Sequence, residues 1–244
     1  MNVLTYHSIS NSAGPTSIPP DVFRQQIEIL AECGYQTASL SAFKRWCDGE
    51  IEMKTPAVVI TFDDGFLDFS EHAFPVLRSR NYTATVFIPS GRIGGTDAWE
   101  TSQAPRPLMS WSQARDLKKE NIDFGGHSVM HADLTRLSSE ELTHEVRHCR
   151  EKIEDELGST PTGFAPPYGR AEQRERDEIR KWFQLSFGTV LQRAARNCDP
   201  YNVPRIDMHY FRDLNRWRDY LKGRGELYFA ARRFMRGVRE RVTG

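Results

Sequence analysis

The chain has 244 residues, with 33 lysines and arginines against 33 aspartates and glutamates, four cysteines and 39% hydrophobic residues. That length suits one domain, residues 1–244, with a sizeable core, and the balanced charge excludes a nucleic-acid binder that relies on bulk positive charge. Cys33, Cys47, Cys149 and Cys198 show no C-x-x-C spacing, which argues against a thiolate metal site or redox motif and predicts reduced, mostly buried thiols.

The first residues enter a strand at once, Asn2 to Tyr6, with no charged segment followed by an apolar run, and no later stretch reaches membrane-spanning length. A cytoplasmic location is the expectation. Pro19-Pro20-Asp21 opens a helix whose apolar positions are Val22, Phe23, Ile27, Leu30 and Ala31; Gly34 ends it. Gln36 to Ser39 reads as a strand, and Ser41 as the cap of a short helix through Trp46. Ala57-Val58-Val59-Ile60 is β-branched and uninterrupted by polar residues, as in a buried strand of a parallel sheet. A helix from about Phe66 to Arg80 leads to a strand, Thr83 to Ile88, and a Gly-, Ser- and Pro-rich loop then runs to Ser110 as a wall of a substrate groove. Ser112 to Glu120 reads as a helix, Ile122-Asp123-Phe124 as a strand, and Ser138 with Glu141 as a capping box for a helix through about Leu157. This alternation predicts an α/β fold with a parallel sheet.

Two runs carry the chemistry. Thr61-Phe62-Asp63-Asp64-Gly65 places two carboxylates where a strand ends, the edge at which α/β folds bind ligands. Adjacent carboxylates there are costly unless a cation or a proton separates them. His127-Ser128-Val129-Met130-His131, after Gly125-Gly126, supplies two imidazoles on a turn at a second strand end. Two imidazoles and one carboxylate make a facial ligand set for Zn²⁺, with Co²⁺ or Ni²⁺ as other candidates, leaving positions open for water and substrate. The other aspartate is then free to act as a base, and spacing alone does not say which. A zinc-protease helix is excluded, because that motif needs Glu directly after the first His and the chain has Ser128.

In these motifs, together with Leu4-Thr5-Tyr6-His7, Ala84 to Ile88, Leu108-Met109-Ser110-Trp111 and Gly163-Phe164-Ala165-Pro166-Pro167-Tyr168-Gly169, the chain resembles the polysaccharide deacetylases over nearly its whole length. The resemblance implies a distorted (β/α) barrel of fewer than eight strands, about seven. It also implies metal-dependent hydrolysis of N- or O-acetyl groups on a polysaccharide, oligosaccharide or lipid-linked glycan. Position by position it makes Asp63 the general base, Asp64, His127 and His131 the metal ligands, and Pro167-Tyr168 a groove wall whose Tyr168 N–H helps hold the oxyanion. The turn departs from the usual pattern at Ala165, where an arginine is common.

Val203-Pro204-Arg205-Ile206-Asp207-Met208-His209 offers a replacement, because a strand there would put Arg205, Asp207 and His209 on one face. Arg205 is therefore assigned to Asp63, and His209 is the candidate general acid. His7 is expected as a hydrogen-bonded core or rim histidine, and His72, His144 and His148 as solvated or capping residues. From Arg212 the chain turns basic, ten Arg or Lys against four Asp or Glu, and Glu226 to Arg241 carries an apolar helical stripe that would pack on the barrel or contact an anionic membrane surface. The oligomeric state is not legible. Two rival readings are a Mg²⁺-dependent phosphoryl hydrolase, which usually has a further acidic residue at the position of Gly65, and a glycan-binding scaffold without turnover.

Overall fold

The computed structural model describes residues 1–102 and 104–224; the basic stripe from Glu226 to Arg241 lies outside them. Among the described residues eight strands alternate with seven helices: β1 (Asn2–Tyr6), α1 (Pro20–Glu32), β2 (Gln36–Thr37), α2 (Leu40–Cys47), β3 (Ala57–Phe62), α3 (Phe74–Ser79), β4 (Ala84–Ile88), α4 (Trp111–Lys119), β5 (Ile122–Gly126), α5 (Ser139–Leu157), β6 (Gly163–Phe164), α6 (Gln173–Arg180), β7 (Leu185–Ser186), β8 (Ile206–Asp207) and α7 (Leu214–Leu221). Every strand pairing is parallel. The continuous order is β7-β6-β5-β4-β3-β1-β8, and β2 pairs with the first residues of β3, whose last residues pair with β4. A bridge between Phe187 and Val203 joins the two ends of this curled sheet, giving the distorted (β/α) barrel with a seven-strand path.

Period-two alternation sorts the strands between two apolar layers. Leu4, Tyr6, Val58, Ile60, Val86 and Ile88 face outward and pack under the helices. Val3, Val59, Phe87, Leu185, Phe187 and Val203 face inward, joined by Leu40 and Phe43 of α2. Further along the same inward rows the side chains become polar: Thr5 on β1, Thr61 on β3 and Asp63 just past its end are buried. The barrel is therefore filled at one end and chemically equipped at the other. Its narrowness explains the glycines closing β5, since a Cβ on Gly125 would lie 2.5 Å from the Phe87 ring and one on Gly126 2.8 Å from Phe164 and Phe183.

Local differences from the sequence expectation have identifiable causes. Ser39, not Ser41, caps α2, its hydroxyl accepting from the Ala42 N–H. The helix expected from Phe66 to Arg80 is instead a π-type segment, Phe69–Ala73, followed by α3. Pro75 lacks an N–H for the helical ladder, so the register changes just before it. The segment after Asp207 is a 3₁₀ turn, Met208–Phe211, because the Asp207 carboxylate accepts from the His209 N–H and caps it. Of the four thiols only Cys149 is buried; the other three are half-buried, and a hydrogen bond with Cys47 brings the Cys198 thiol down to about 7. Among the described residues no helix is long and apolar enough to cross a membrane.

Candidate active site

The strand ends carrying Asp63-Asp64, His127-His131, Tyr168 and Arg205 border one cavity of about 410 Å³. Six non-glycine residues have positive φ among the described residues, and four of them, Asp64 (73°), Ser128 (64°), His131 (60°) and Tyr168 (60°), belong to these loops. Such left-handed residues cost stability and persist where the surroundings enforce them. Here they turn the chain sharply as it leaves each strand. Consecutive residues Asp63 and Asp64, 3% and 5% exposed, consequently meet different partners.

Asp63 faces Arg205, whose Nη1 and Nη2 each donate to one carboxylate oxygen at 2.7 Å in a bidentate pair. The guanidinium also donates to the Gly188 carbonyl at 3.2 Å and the Thr61 hydroxyl at 3.3 Å, and lies 5.9 and 6.0 Å from the Phe87 and Phe187 rings. Burial drives the Asp63 pKa up, but the charge and hydrogen bonds of Arg205, helped by His7 and His127, outweigh it and hold the carboxyl below its usual range. Asp63 is therefore ionised and fixed in orientation.

Asp64 faces imidazoles instead. Nε2 of His127 and Nε2 of His131 each lie 3.2 Å from its Oδ1, and the three residues could hold one ion between them. His127 Nδ1 donates to the Ala165 carbonyl at 2.5 Å, which directs the Nε2 lone pair at Asp64. A lone pair facing a carboxylate oxygen is repulsive unless a cation or proton lies between them. His131 Nδ1 is buried without a hydrogen-bond partner, and the ring is stacked on Trp99 at 4.0 Å and met edge-on by Tyr168 at 4.9 Å. Burial raises the Asp64 pKa, yet its hydrogen bonds with the two histidines hold it well below the carboxylate range. Burial lowers the His131 pKa and favours the neutral imidazole; at His127 the hydrogen bond to Asp64 outweighs burial and raises it. These residues fit a divalent transition metal: two nitrogens, one oxygen, a fixed tautomer and a dry setting.

The structure brings together Asp63, Arg205, Asp64, His127, His131 and Tyr168. Pro167 opens the buried turn beneath Tyr168, where Gly169 and Arg170 donate to the Pro166 and Pro167 carbonyls. His209 is not among the cavity-lining residues, because the strand expected to carry it ends at Asp207 and its 3₁₀ turn leads away. His7 is found there in its place, with Nε2 3.9 Å from Asp63 Oδ2 and its side chain 24% exposed. The signal was in the strand pairing: β1 and β3 are in register at Tyr6 and Phe62, so the residues after them, His7 and Asp63, emerge side by side. The Ser8 hydroxyl and Ile9 N–H, both donating to Asp68 at 2.5 and 2.9 Å, anchor the backbone just beyond His7. The expected loop wall is represented by Trp99, Glu100 and Arg106, and Arg106 pairs with the buried Asp97 at 2.8 Å.

Residues 50–182 match the polysaccharide deacetylase family, more than half of the chain, and the protein belongs to that family of carbohydrate deacetylase hydrolases. YxkH of Bacillus subtilis (strain 168) is 24% identical over 205 residues, covering 84% of this chain and 70% of that one. The poly-beta-1,6-N-acetyl-D-glucosamine N-deacetylase of Escherichia coli (strain K12) is 23% identical over 240 residues, covering 83% of this chain but 36% of its own length. In three dimensions the chain superposes on IcaB from Ammonifex degensii with a TM-score of 0.75 at 22% identity, covering 91% of this chain and 95% of the other.

Proposed function

We propose that the chain is a metal-dependent hydrolase that removes N-acetyl groups, or O-acetyl groups, from an acetylated glycan. The observation that carries this reading is the division of labour at the cavity: one buried carboxylate clamped by a buried arginine, and the next grouped with two imidazoles. Asp64, His127 and His131 would hold a divalent ion, with Zn²⁺ favoured by the donor set and Co²⁺ or Ni²⁺ as substitutes. When bound, such an ion supplies Lewis acidity toward the acetyl carbonyl and acidifies water.

The remaining work falls to the chain's own groups. Asp63 accepts a proton from the attacking water at the carboxylate oxygen facing the cavity. Arg205 keeps that oxygen ionised and aimed. The Tyr168 N–H is not used in the backbone hydrogen bonds of its turn and is available to the oxyanion. His7 takes the role first given to His209: its partly exposed imidazole beside Asp63 can pass a proton to the leaving nitrogen as acetate departs. Trp99 and the half-exposed Tyr168 offer aromatic surface against which a sugar ring can lie. The similarity to an N-deacetylase of a β-1,6-linked N-acetylglucosamine polymer makes such a polymer the first substrate to try.

Ala165 lends no support to a non-catalytic scaffold, because Arg205 brings a guanidinium to Asp63. The two imidazoles around Asp64 likewise weigh against a Mg²⁺ phosphoryl hydrolase, whose ion prefers oxygen ligands. Acetate release from N- and O-acetylated oligosaccharides, measured with the chain as purified, after chelation and after Zn²⁺ is returned, tests the reading. Expected is release that is lost on chelation and restored by Zn²⁺; release indifferent to chelation would remove the metal from it.

A further inference from the structure

We propose that Cys47 and Cys198 are a reversible dithiol/disulfide pair, a redox-controlled staple between α2 and the loop that joins β7 to β8, at the filled end of the barrel. Cys47 is the last residue of α2, and its thiol is hydrogen-bonded to that of Cys198. Both residues are half-buried and pack against the inward apolar cluster that includes Phe43, Phe187 and Val203. Spacing along the chain could not reveal this neighbourhood, because the two segments meet only when the sheet curls and its ends join at Phe187 and Val203.

Contacts that do not involve sulfur hold the same two segments together. Arg196, two residues before Cys198, lies 5.6 Å from the ring of Trp46 and donates to Glu52 at 2.7 Å and to the Ile51 carbonyl at 3.1 Å. Before Cys198 the Ala194 N–H donates to the Met1 carbonyl at 2.9 Å, and after it the Pro200 carbonyl accepts from the Ser186 N–H at 2.8 Å. Cys198 is therefore pinned beside the end of α2 from both sides, and the bonded S–S distance of about 2.05 Å is approached from two sulfurs already in contact.

The environment also divides the labour between the two thiols. The hydrogen bond from Cys47 brings the Cys198 thiol down to about 7, so about half of it is thiolate near neutral pH, while the same bond, with burial, pushes the Cys47 thiol up. Cys198 is thus the attacking group toward a low-molecular-weight disulfide such as glutathione disulfide. Its thiolate attacks one sulfur of that disulfide, forms a mixed disulfide and releases one glutathione thiolate. Cys47 then gives its proton to solvent and attacks the Cys198 sulfur, and the second glutathione leaves as thiolate. Two protein thiols are oxidised to one disulfide as one glutathione disulfide is reduced to two glutathione thiols.

The full chain equilibrated in glutathione buffers of rising oxidised fraction, then quenched in acid and alkylated, tests this. In the most oxidised buffer the wild type should lose two of its four alkylatable thiols, and a non-reducing peptide map should join Cys47 to Cys198. Cys47→Ser should stop at the mixed disulfide and carry one glutathione on Cys198, whereas Cys198→Ser should stay reduced at Cys47. The oxidised wild type should melt on the order of 10 °C above the reduced form, because the bond closes the long loop from residue 47 to residue 198 in the unfolded chain. Cys47→Ser should show no such rise, and dithiothreitol should return the oxidised wild type to the lower melting temperature. The proposal is overturned if all four thiols of the folded wild type stay alkylatable in oxidised glutathione, if the map joins another pair, or if the oxidised and reduced forms melt alike. Thiol count and melting do not depend on acetate release, so failure of the deacetylase reading would leave these outcomes unchanged.

Discussion

The cavity floor has an arginine half and a histidine half, built on successive residues of one turn. Asp63 in the first half is balanced entirely by protein: both its oxygens are held by Arg205, and the guanidinium has two further acceptors and two aromatic neighbours. Asp64 in the second half is surrounded by nitrogens that can equally belong to an ion. Both carboxyls are buried and both are held below their usual range, yet for unlike reasons. Equal burial thus does not imply equal chemistry: Asp63 is compensated by a guanidinium, Asp64 by imidazoles that could also serve as metal ligands.

Substitutions that keep shape and remove charge separate the halves most strongly. Asp64→Asn should lose both metal and acetate release, because a neutral amide cannot complete the ligand set. Asp63→Asn should keep its metal by elemental analysis while turnover falls on the order of 10² or more, as expected for loss of a general base. A metal-free Asp63→Asn protein beside a metal-replete Asp64→Asn protein would exchange the two roles. His7→Gln should follow with a loss of about 10² in kcat, metal content unchanged. An amide with a good leaving group should be less affected than an unactivated one, and equal losses on both would return His7 to the rim.

The arginine half responds more moderately and through pH. With Arg205 present the Asp63 carboxyl is depressed, so it is ionised above a pKa lower than usual and, as the proposed base, should act from mildly acidic pH upward. In Arg205→Met burial is opposed only by His7 and His127, which raises that pKa, so the acidic limb of kcat/KM should move to higher pH. Loss of one partner of a buried pair should also cost stability, about 3–5 kcal/mol by denaturant melting. Ala165 and the rings beside the guanidinium, Phe87 and Phe187, share one apolar cluster, so adding Ala165→Arg to Arg205→Met brings a guanidinium back to the same rings. Partial recovery of the acidic limb in the double variant is expected. An unshifted limb in the single variant would detach Arg205 from the base.

The sequence made these two halves legible to different degrees. Asp63, Asp64, His127 and His131 stood in compact runs at strand ends, and Arg205 could be paired with Asp63 because Ala165 left a gap that a later strand could fill. His209 was misplaced because the alternation through Arg205 and Asp207 was extended one step too far, past the point where the Asp207 side chain caps a 3₁₀ turn. His7 was expected in the core or at the rim, and its place beside Asp63 was hidden because it depends on β1 lying directly beside β3. The parallel α/β sheet followed from alternation and apolar runs, and the barrel from the family resemblance; β6, β7 and β8, two residues each, are too short for periodicity to reveal.

The smallest expected effect lies one layer behind the histidine half. Glu145 is nearly buried, and its Oε2 accepts the N–H groups of Val129 and Met130, between the two histidines. These charge-assisted bonds hold the loop in which Ser128 and His131 adopt positive φ. Glu145→Gln can still accept both bonds at its carbonyl oxygen but loses the charge, so the loop should stay folded while the imidazoles lose some preorganisation. Zn²⁺ affinity should fall about 10-fold, the lower end of what removal of an outer support costs. Activity at saturating Zn²⁺ should return nearly to wild type, whereas Arg205→Met should not be rescued by any concentration of metal. If added Zn²⁺ rescued both variants, the two halves would be one coupled unit. If it failed to rescue Glu145→Gln, that carboxylate would act on the reaction itself and not through the position of His127 and His131.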